Sequence, residues 1–206
     1  VEFKKLVVRM LKVGKFRLRA RPRGVGPLFV VPKSSGRLRA VWHGGVISEA
    51  CLRPPRPQRL GNPASFVDIE APKGCGLVMS KRDAESYFDV LRAPDEAQQW
   101  FCCPPITAGE LKATLITQGI DVRAVAVDFD FEHVSENQLL YPSSTTWPMG
   151  FSWSSAIAQD GTLGSLAQSG FPLEQVLSDD KEVPADMSRL AVVATDDVLF
   201  FHANAE

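Results

Sequence analysis

The chain is poor in cysteine and poorer still in histidine. Its four cysteines, Cys51, Cys75, Cys102 and Cys103, form no Cys-x-x-Cys pair, and its three histidines stand far from any zinc-finger spacing. A disulfide framework is not expected, which favours a reducing compartment, cytoplasm or nucleus. Adjacent Cys102 and Cys103 in the run WFCCPPI read as small buried hydrophobes in a strand. No apolar run approaches the ~18 residues of a membrane-spanning helix, so no membrane partner is expected. The N-terminal VEFKKLVVRMLKVGKF scatters basic among apolar residues and lacks the ordered regions of a signal peptide. There is no βαβ dinucleotide fingerprint and no internal repeat. The sequence opens on Val1 rather than Met, so a piece of something longer is the expectation.

What is present is an ordinary globular balance: 206 residues, 45% hydrophobic and 23% charged. The net charge of −1 hides an asymmetry. Residues 1–59 hold fifteen basic residues against Glu2 and Glu49, and the remainder holds eight basic against twenty-two acidic. A half this basic is what phosphate backbones attract. A solvated face or a basic tail would carry the same composition.

Along the chain, residues 6–19 alternate loosely and suggest a strand or a short amphipathic helix. PLFVVPKSSGRLRAVWH (27–43) reads as a β-hairpin around Pro32 and Gly36. The Pro-rich stretch 52–65 is extended or looped. Strands are predicted at 76–83, 98–106 and 122–131. A helix is predicted at 107–119, capped by Thr107 with Glu110 three residues on and ended by Gly119. Residues 142–150 read as a loop, 151–170 as a mostly apolar helix and 178–186 as an acidic loop. RLAVVATDDVLFFH (189–202) is apolar around two aspartates. Strands and helices in this order give an α+β fold.

That last stretch carries the most chemistry. Two β-prone runs joined by Asp-Asp make a tight hairpin with carboxylates at its tip. Adjacent anions repel, and Mg²⁺, which takes one or two carboxylates plus water and phosphate oxygens, would remove that cost. Alone, this is an ordinary Asp-rich turn. Asp83 lies at a strand end in SKRDAESYFDVLRAP, with Phe88 five residues on. A strand-end aspartate beside an Asp-Asp hairpin could hold two metals, which stabilise both the attacking and leaving oxygens of phosphoryl transfer. WPMGFSWSSAIAQ (147–159) adds a Pro-Met-Gly turn leading into a helix, a backbone able to approach a flat ligand closely.

In this order the pieces resemble the reverse transcriptase family of retroelements, in its fingers-palm portion. PLFVVPKSSGRLRAVWH is similar to the fingers hairpin. DAESYFDVLRAP looks like the palm motif of the first catalytic aspartate. WPMGFSWSSAIAQ resembles the Pro-Met/Gln-Gly motif, and ATDDVLFF the aromatic-x-Asp-Asp hairpin. The resemblance spans about residues 27–202. It implies a right-hand polymerase palm, an antiparallel sheet packed on helices with a ferredoxin-like core, and partial fingers. The expected layout is a basic segment over residues 1–26, then a fingers-palm domain over 27–206 that stops after the Asp-Asp hairpin without a thumb. Further domains of a longer polyprotein are expected.

The resemblance also implies roles. Asp83, Asp196 and Asp197 would be the catalytic carboxylates holding two Mg²⁺ ions, with Mn²⁺ as a substitute. Phe88 would be the steric gate against a ribonucleotide 2′-hydroxyl. Lys33 and Arg39 would neutralise the incoming triphosphate. Met149 and Gly150 would contact the nascent base pair or template. The partners would be dNTP and an RNA or DNA template with its primer, and the activity RNA-directed DNA polymerisation. Two departures stand out. Ala194 replaces the family's hairpin aromatic, and Val41-Trp42-His43-Gly44-Gly45 lacks the Asp and Arg that often follow the fingers arginine. They motivate an alternative, a catalytically inactive nucleic-acid-binding remnant. An unrelated two-metal nuclease or phosphatase would commonly add His or acidic ligands. His43, His133 and His202 have no spacing relation to the three aspartates.

Overall fold

The computed structural model describes residues 2–33, 36–67, 69–125 and 133–205. In chain order the elements are α1 (Glu2–Lys12), β1 (Phe16–Arg19), β2 (Leu28–Pro32), β3 (Leu38–Trp42), α2 (Gly45–Ala50), β4 (Cys75–Asp83), α3 (Tyr87–Val90), α4 (Asp95–Gln98), β5 (Ile106–Thr107), α5 (Ala108–Thr117), α6 (Val122–Val125), β6 (Leu139–Ser144), α7 (Ser154–Gln168), β7 (Val176–Leu177), β8 (Arg189–Ala194) and β9 (Asp197–Ala205). This is a mixed α+β fold with several sheets. It divides into two units, each made of two stretches of chain: residues 1–52 with 88–152, and residues 53–87 with 153–206. Among the described residues no helix is long and apolar enough to cross a membrane.

In the first unit, α1 places Val7, Val8 and Leu11 on one buried face, at helical spacing, and Lys5, Arg9 and Lys12 outside it. That face packs with Leu111 and Leu115 of α5 and with Leu18, Ile106 and Leu140 of the sheet β1-β6-β5. Residues 6–19 thus hold a helix followed by a strand, and residues 1–26 contribute to this core. The α5 start is a reciprocal capping box. Thr107 Oγ1 accepts from the Glu110 N–H (3.1 Å), and the Thr107 N–H donates to Glu110 Oε2 (3.3 Å). Gly119 follows the helix with φ 65°.

A second cluster in this unit is aromatic. Phe101 touches Trp42, Trp147 and Phe151 at ring-centroid distances of 5.6, 5.5 and 5.0 Å. Trp42 Nε1 donates to the Cys102 carbonyl (3.0 Å). This explains a difference from expectation. Residues 98–106 do not form a strand; Asp95–Gln98 is a short helix, and strand pairing is confined to Ile106–Thr107 and single bridges at Cys102. WFCCPPI is apolar because it fills this cluster, not because it alternates in a sheet. Cys102 and Cys103 are buried and unpaired with each other, and burial pushes the Cys103 thiol up to about 12.

Two other expectations change. Pro142–Ser144, read as loop, belongs to β6 and pairs with β1, with Leu18 opposite Pro142. The Pro142 carbonyl accepts from the Cys103 N–H (2.7 Å), and proline has no N–H to leave unmatched there. Val122–Val125 is a short helix rather than the start of a strand, and residues 126–131 of that predicted strand lie outside the described residues.

The hairpin β2–β3 forms as the sequence indicates, from Leu28 opposite Trp42 to Pro32 opposite Leu38. Its base is tied to the Pro-Met-Gly turn: the Trp42 N–H donates to the Met149 carbonyl (3.2 Å). Gly150 has φ 107°, and a Cβ there would lie 2.0 Å from the Trp42 carbonyl oxygen. Only glycine allows that approach.

The second unit is a four-stranded sheet in the order β4-β9-β8-β7, antiparallel except for the β7–β8 pair. Both faces of its centre are covered. Ala191, Val193 and Val198 pack with Leu163 and Leu166 of α7. Leu190, Val192 and Phe201 pack with Leu177, Ile69 and Met187 on the other face. Burial on both faces is why RLAVVA is a continuous apolar run instead of an alternating one.

The glycines give a test of the fold. Gly150→Ala should lower unfolding free energy by at least about 2 kcal/mol, from a left-handed φ plus a backbone clash. Gly119→Ala, with nothing within 4 Å of the added Cβ, should cost only about 1 kcal/mol. Guanidinium denaturation of both variants reads the contrast, and equal losses would contradict the close approach at Trp42.

Candidate active site

The carboxylate pattern arises from strand register in the second unit. On the β4–β9 ladder, Asp83 stands opposite Asp197, Arg82 opposite Val198 and Lys81 opposite Leu199. Residues two apart on a strand share a face, and opposite residues share it too. Lys81, Asp83, Asp197 and Leu199 therefore lie on one face, away from α7, which covers Val198 and Phe200. Asp196 is in the hairpin loop. Ala194 pairs with Asp197, so the two loop residues are Thr195 and Asp196, one position earlier than an Asp-Asp turn. The Ala84 N–H reaches the Asp196 carbonyl at 3.5 Å. Asp83 is exposed, and Asp196 and Asp197 are half-buried.

The loop is held by residues that motif reading did not single out. Thr195 has φ 61°, unusual for a β-branched residue. Its N–H donates to Gln159 Oε1 (2.7 Å), and its carbonyl accepts from Thr162 Oγ1 (2.6 Å). Both partners come from α7 and are buried. The Gln159 amide nitrogen donates in turn to the Arg59 carbonyl (3.0 Å), with the Gln58 and Val193 carbonyls at 3.3 and 3.4 Å. A sequence signal existed: Gln159 and Thr162 stand three residues apart, on one face of the predicted helix.

Among the described residues no group of three or more His, Cys, Asp or Glu side chains is gathered as a metal cage. A lysine stands at the carboxylates instead. Lys81 Nζ lies 2.8 Å from Asp197 Oδ1, an oxygen that is shielded from solvent and makes no well-aligned hydrogen bond, so the contact is charge pairing. The Lys81 ammonium is held above its usual range, first by Asp197 and further by Asp83 and Asp196.

The other predicted site residues belong to the first unit. Lys33 and Arg39 are exposed on the β2–β3 hairpin, Arg39 opposite Val31 on β3 and Lys33 just past β2. The Lys33 N–H donates to the Arg37 carbonyl (2.7 Å) and closes the hairpin. Met149 and Gly150 form the turn against Trp42 described above. Phe88 is half-buried in α3.

No protein-family model matches the sequence, and no curated protein matches it. Solved structures do. Prototype foamy virus protease-reverse transcriptase in its native form matches with a TM-score of 0.52 and 15% identity, over 94% of this chain and 18% of that one. A foamy viral protease-reverse transcriptase in complex with ds DNA matches with a TM-score of 0.55 and 14% identity, over 96% of this chain and 25% of that one. The fold is reverse transcriptase-like. The chain spans a fifth to a quarter of those proteins, so their whole activity does not transfer with the fold.

The clamp on the loop predicts a stability effect. Gln159→Leu leaves the half-buried Thr195 N–H and the Arg59 carbonyl without their partner and should cost about 1–3 kcal/mol. Thr195→Asn, better suited to a left-handed φ, should be neutral or stabilising by up to about 1 kcal/mol. Thermal unfolding should show a lowered Tm for Gln159→Leu and an unchanged or raised Tm for Thr195→Asn if the clamp is as described.

Proposed function

We propose that the chain is the carboxylate-bearing, fingers-palm part of an RNA-directed DNA polymerase, extending a primer 3′-hydroxyl with dNTP. The supporting observation is the register that puts Asp83 opposite Asp197 with Asp196 in the adjoining loop. Asp83, Asp196 and Asp197 would hold two Mg²⁺ ions, which supply charge neutralisation and activation of the attacking hydroxyl. The chain's own part is positioning. The β4–β9 ladder and the Gln159–Thr195 clamp fix where the carboxylates point. Lys33 and Arg39 offer exposed cations to a triphosphate. Met149, Gly150 and Phe88 would bound the base-pair and sugar sites. Phosphoryl transfer asks for positioning and charge more than for covalent chemistry.

The second reading, a binding remnant without catalysis, is favoured by Ala194, which leaves the loop without an aromatic neighbour at that position. Both readings require nucleic acid at the basic surface. The partners remain primer–template, dNTP and further domains of a longer polyprotein, and the compartment a reducing one.

Primer extension on an RNA template in Mg²⁺ or Mn²⁺ separates the readings. Asp83→Asn and Asp196→Asn should each lower incorporation at least about a hundredfold with folding intact. Incorporation unchanged in Asp196→Asn would sink the metal-site reading. For binding, replacing Arg21, Lys33 and Arg39 with Gln should weaken affinity for all sequences alike. It should also flatten the log K against log salt slope by roughly 0.7–0.9 for each phosphate no longer neutralised.

A further inference from the structure

We infer that Trp100, with Arg21 and Arg23 beside it, is a stacking platform for a single-stranded stretch of RNA. This rests on the nucleic-acid binding common to both readings above and names its mode; it asks nothing of the carboxylates. The sequence places an arginine at every second position from 17 to 23, in RLRARPR. The fold divides the four. Arg17 and Arg19, on β1, share the Asp95 carboxylate at 3.6 and 2.6 Å. Arg21 and Arg23 follow the strand, both exposed, and among the described residues neither forms an ion pair. Of the four tryptophans only Trp100 is exposed, with 40% of its surface open. Its neighbour Phe101 fills the aromatic cluster and is 2% exposed, which leaves Trp100 on the outside.

The arginine segment is tied to the backbone that carries the ring. The Arg23 and Gly24 N–H groups both donate to the Gln99 carbonyl (2.9 and 3.3 Å), and the Cys102 N–H donates to the Gly24 carbonyl (3.3 Å). A Cβ at Gly24 would lie 2.8 Å from the Trp100 carbonyl oxygen and 3.2 Å from Trp100 Cε3, so this backbone runs against the indole edge. Ring and arginines are therefore neighbours by construction, and binding needs little further ordering of the backbone. An exposed π face beside unpaired cations suits a single strand, whose bases can stack on the ring while its phosphates meet the arginines. A duplex offers the phosphates alone, since its base faces already stack on one another. A protein partner could also cover an indole, but two adjoining arginines without carboxylates complement a polyanion.

The probe is a fluorescein-labelled oligouridylate of roughly twelve nucleotides, either free or annealed to its oligoadenylate complement. Binding of the full 206-residue chain is read by fluorescence anisotropy across a salt series. Trp100→Leu should weaken binding of the free strand about fivefold or more, with the salt slope unchanged, and should leave duplex binding as it was. Trp100→Phe, which restores a ring, should recover most of the loss. Replacing Arg21 and Arg23 together with Gln should weaken both probes and flatten the single-strand slope by about 0.7 for each arginine. A readout on the unaltered protein covers the case of a variant that fails to fold: bromouridine placed in the oligonucleotide and irradiated in the complex should cross-link to Trp100. If folded Trp100→Leu binds the free strand as tightly as the wild type, or loses both probes alike, or if cross-links fall only elsewhere, the platform is wrong and the nucleic-acid reading stands. If the wild type binds neither probe, the nucleic-acid reading itself fails, and the platform falls with it.

Discussion

Everything at the carboxylate site depends on a buried amide. Gln159 has no access to water, so both ends of its side chain must find partners inside the protein or leave a costly polar group behind. Its oxygen takes the Thr195 N–H and its nitrogen the carbonyl of Arg59. One side chain therefore joins α7, the β8–β9 loop and the segment ahead of β4. Thr162 holds the carbonyl of the same residue from the next turn of the helix. The loop cannot rotate without stranding both α7 side chains, and Asp196 turns with it. Strand register then does the rest by bringing Asp83 to Asp197.

Local chemistry was readable in advance, and pairing at a distance was not. The capping box of α5 is written in Thr107 and Glu110, and its end in Gly119, all within thirteen residues. The hairpin β2–β3 and the end of β4 at Asp83 were similarly visible, whereas the β8–β9 turn falls one residue earlier than the Asp-Asp pair suggested. Pro142–Ser144 became a strand because β1, more than a hundred residues earlier, needs a partner. The run 98–106 failed as a strand because its apolar residues answer to Trp42 and Trp147, which periodicity cannot reveal. Asp83, Asp196 and Asp197 could be nominated from order along the chain. Lys81 and Gln159 could not, since each acquires meaning only from the residue across the ladder or at the loop.

Charge was misleading in a related way. The sequence divides into a basic first part and an acidic second part, but the units do not follow that division. The first unit holds fifteen basic and eleven acidic residues, and the second eight and thirteen. Acids from later in the chain return to the basic segment. Glu110 meets Lys4, Asp89 meets Lys15, and Asp95 meets Arg19 at 2.6 Å. On the hairpin and the linker beside it, Arg21, Arg23, Lys33, Arg37 and Arg39 all remain exposed.

The ladder between β4 and β9 has an implication for biosynthesis. The two strands are separated by the whole second stretch of the first unit and by α7, yet they pair residue for residue from Cys75 to Asp83. At about 5–20 residues per second on the ribosome, β4 emerges roughly 5–20 seconds before β9 exists. During that wait Leu77, Val78 and Met79 have no ladder to join, and they stay partly exposed even afterwards. Nascent chains halted before residue 197 would carry an unpaired apolar strand, the kind of segment that holdase chaperones shield.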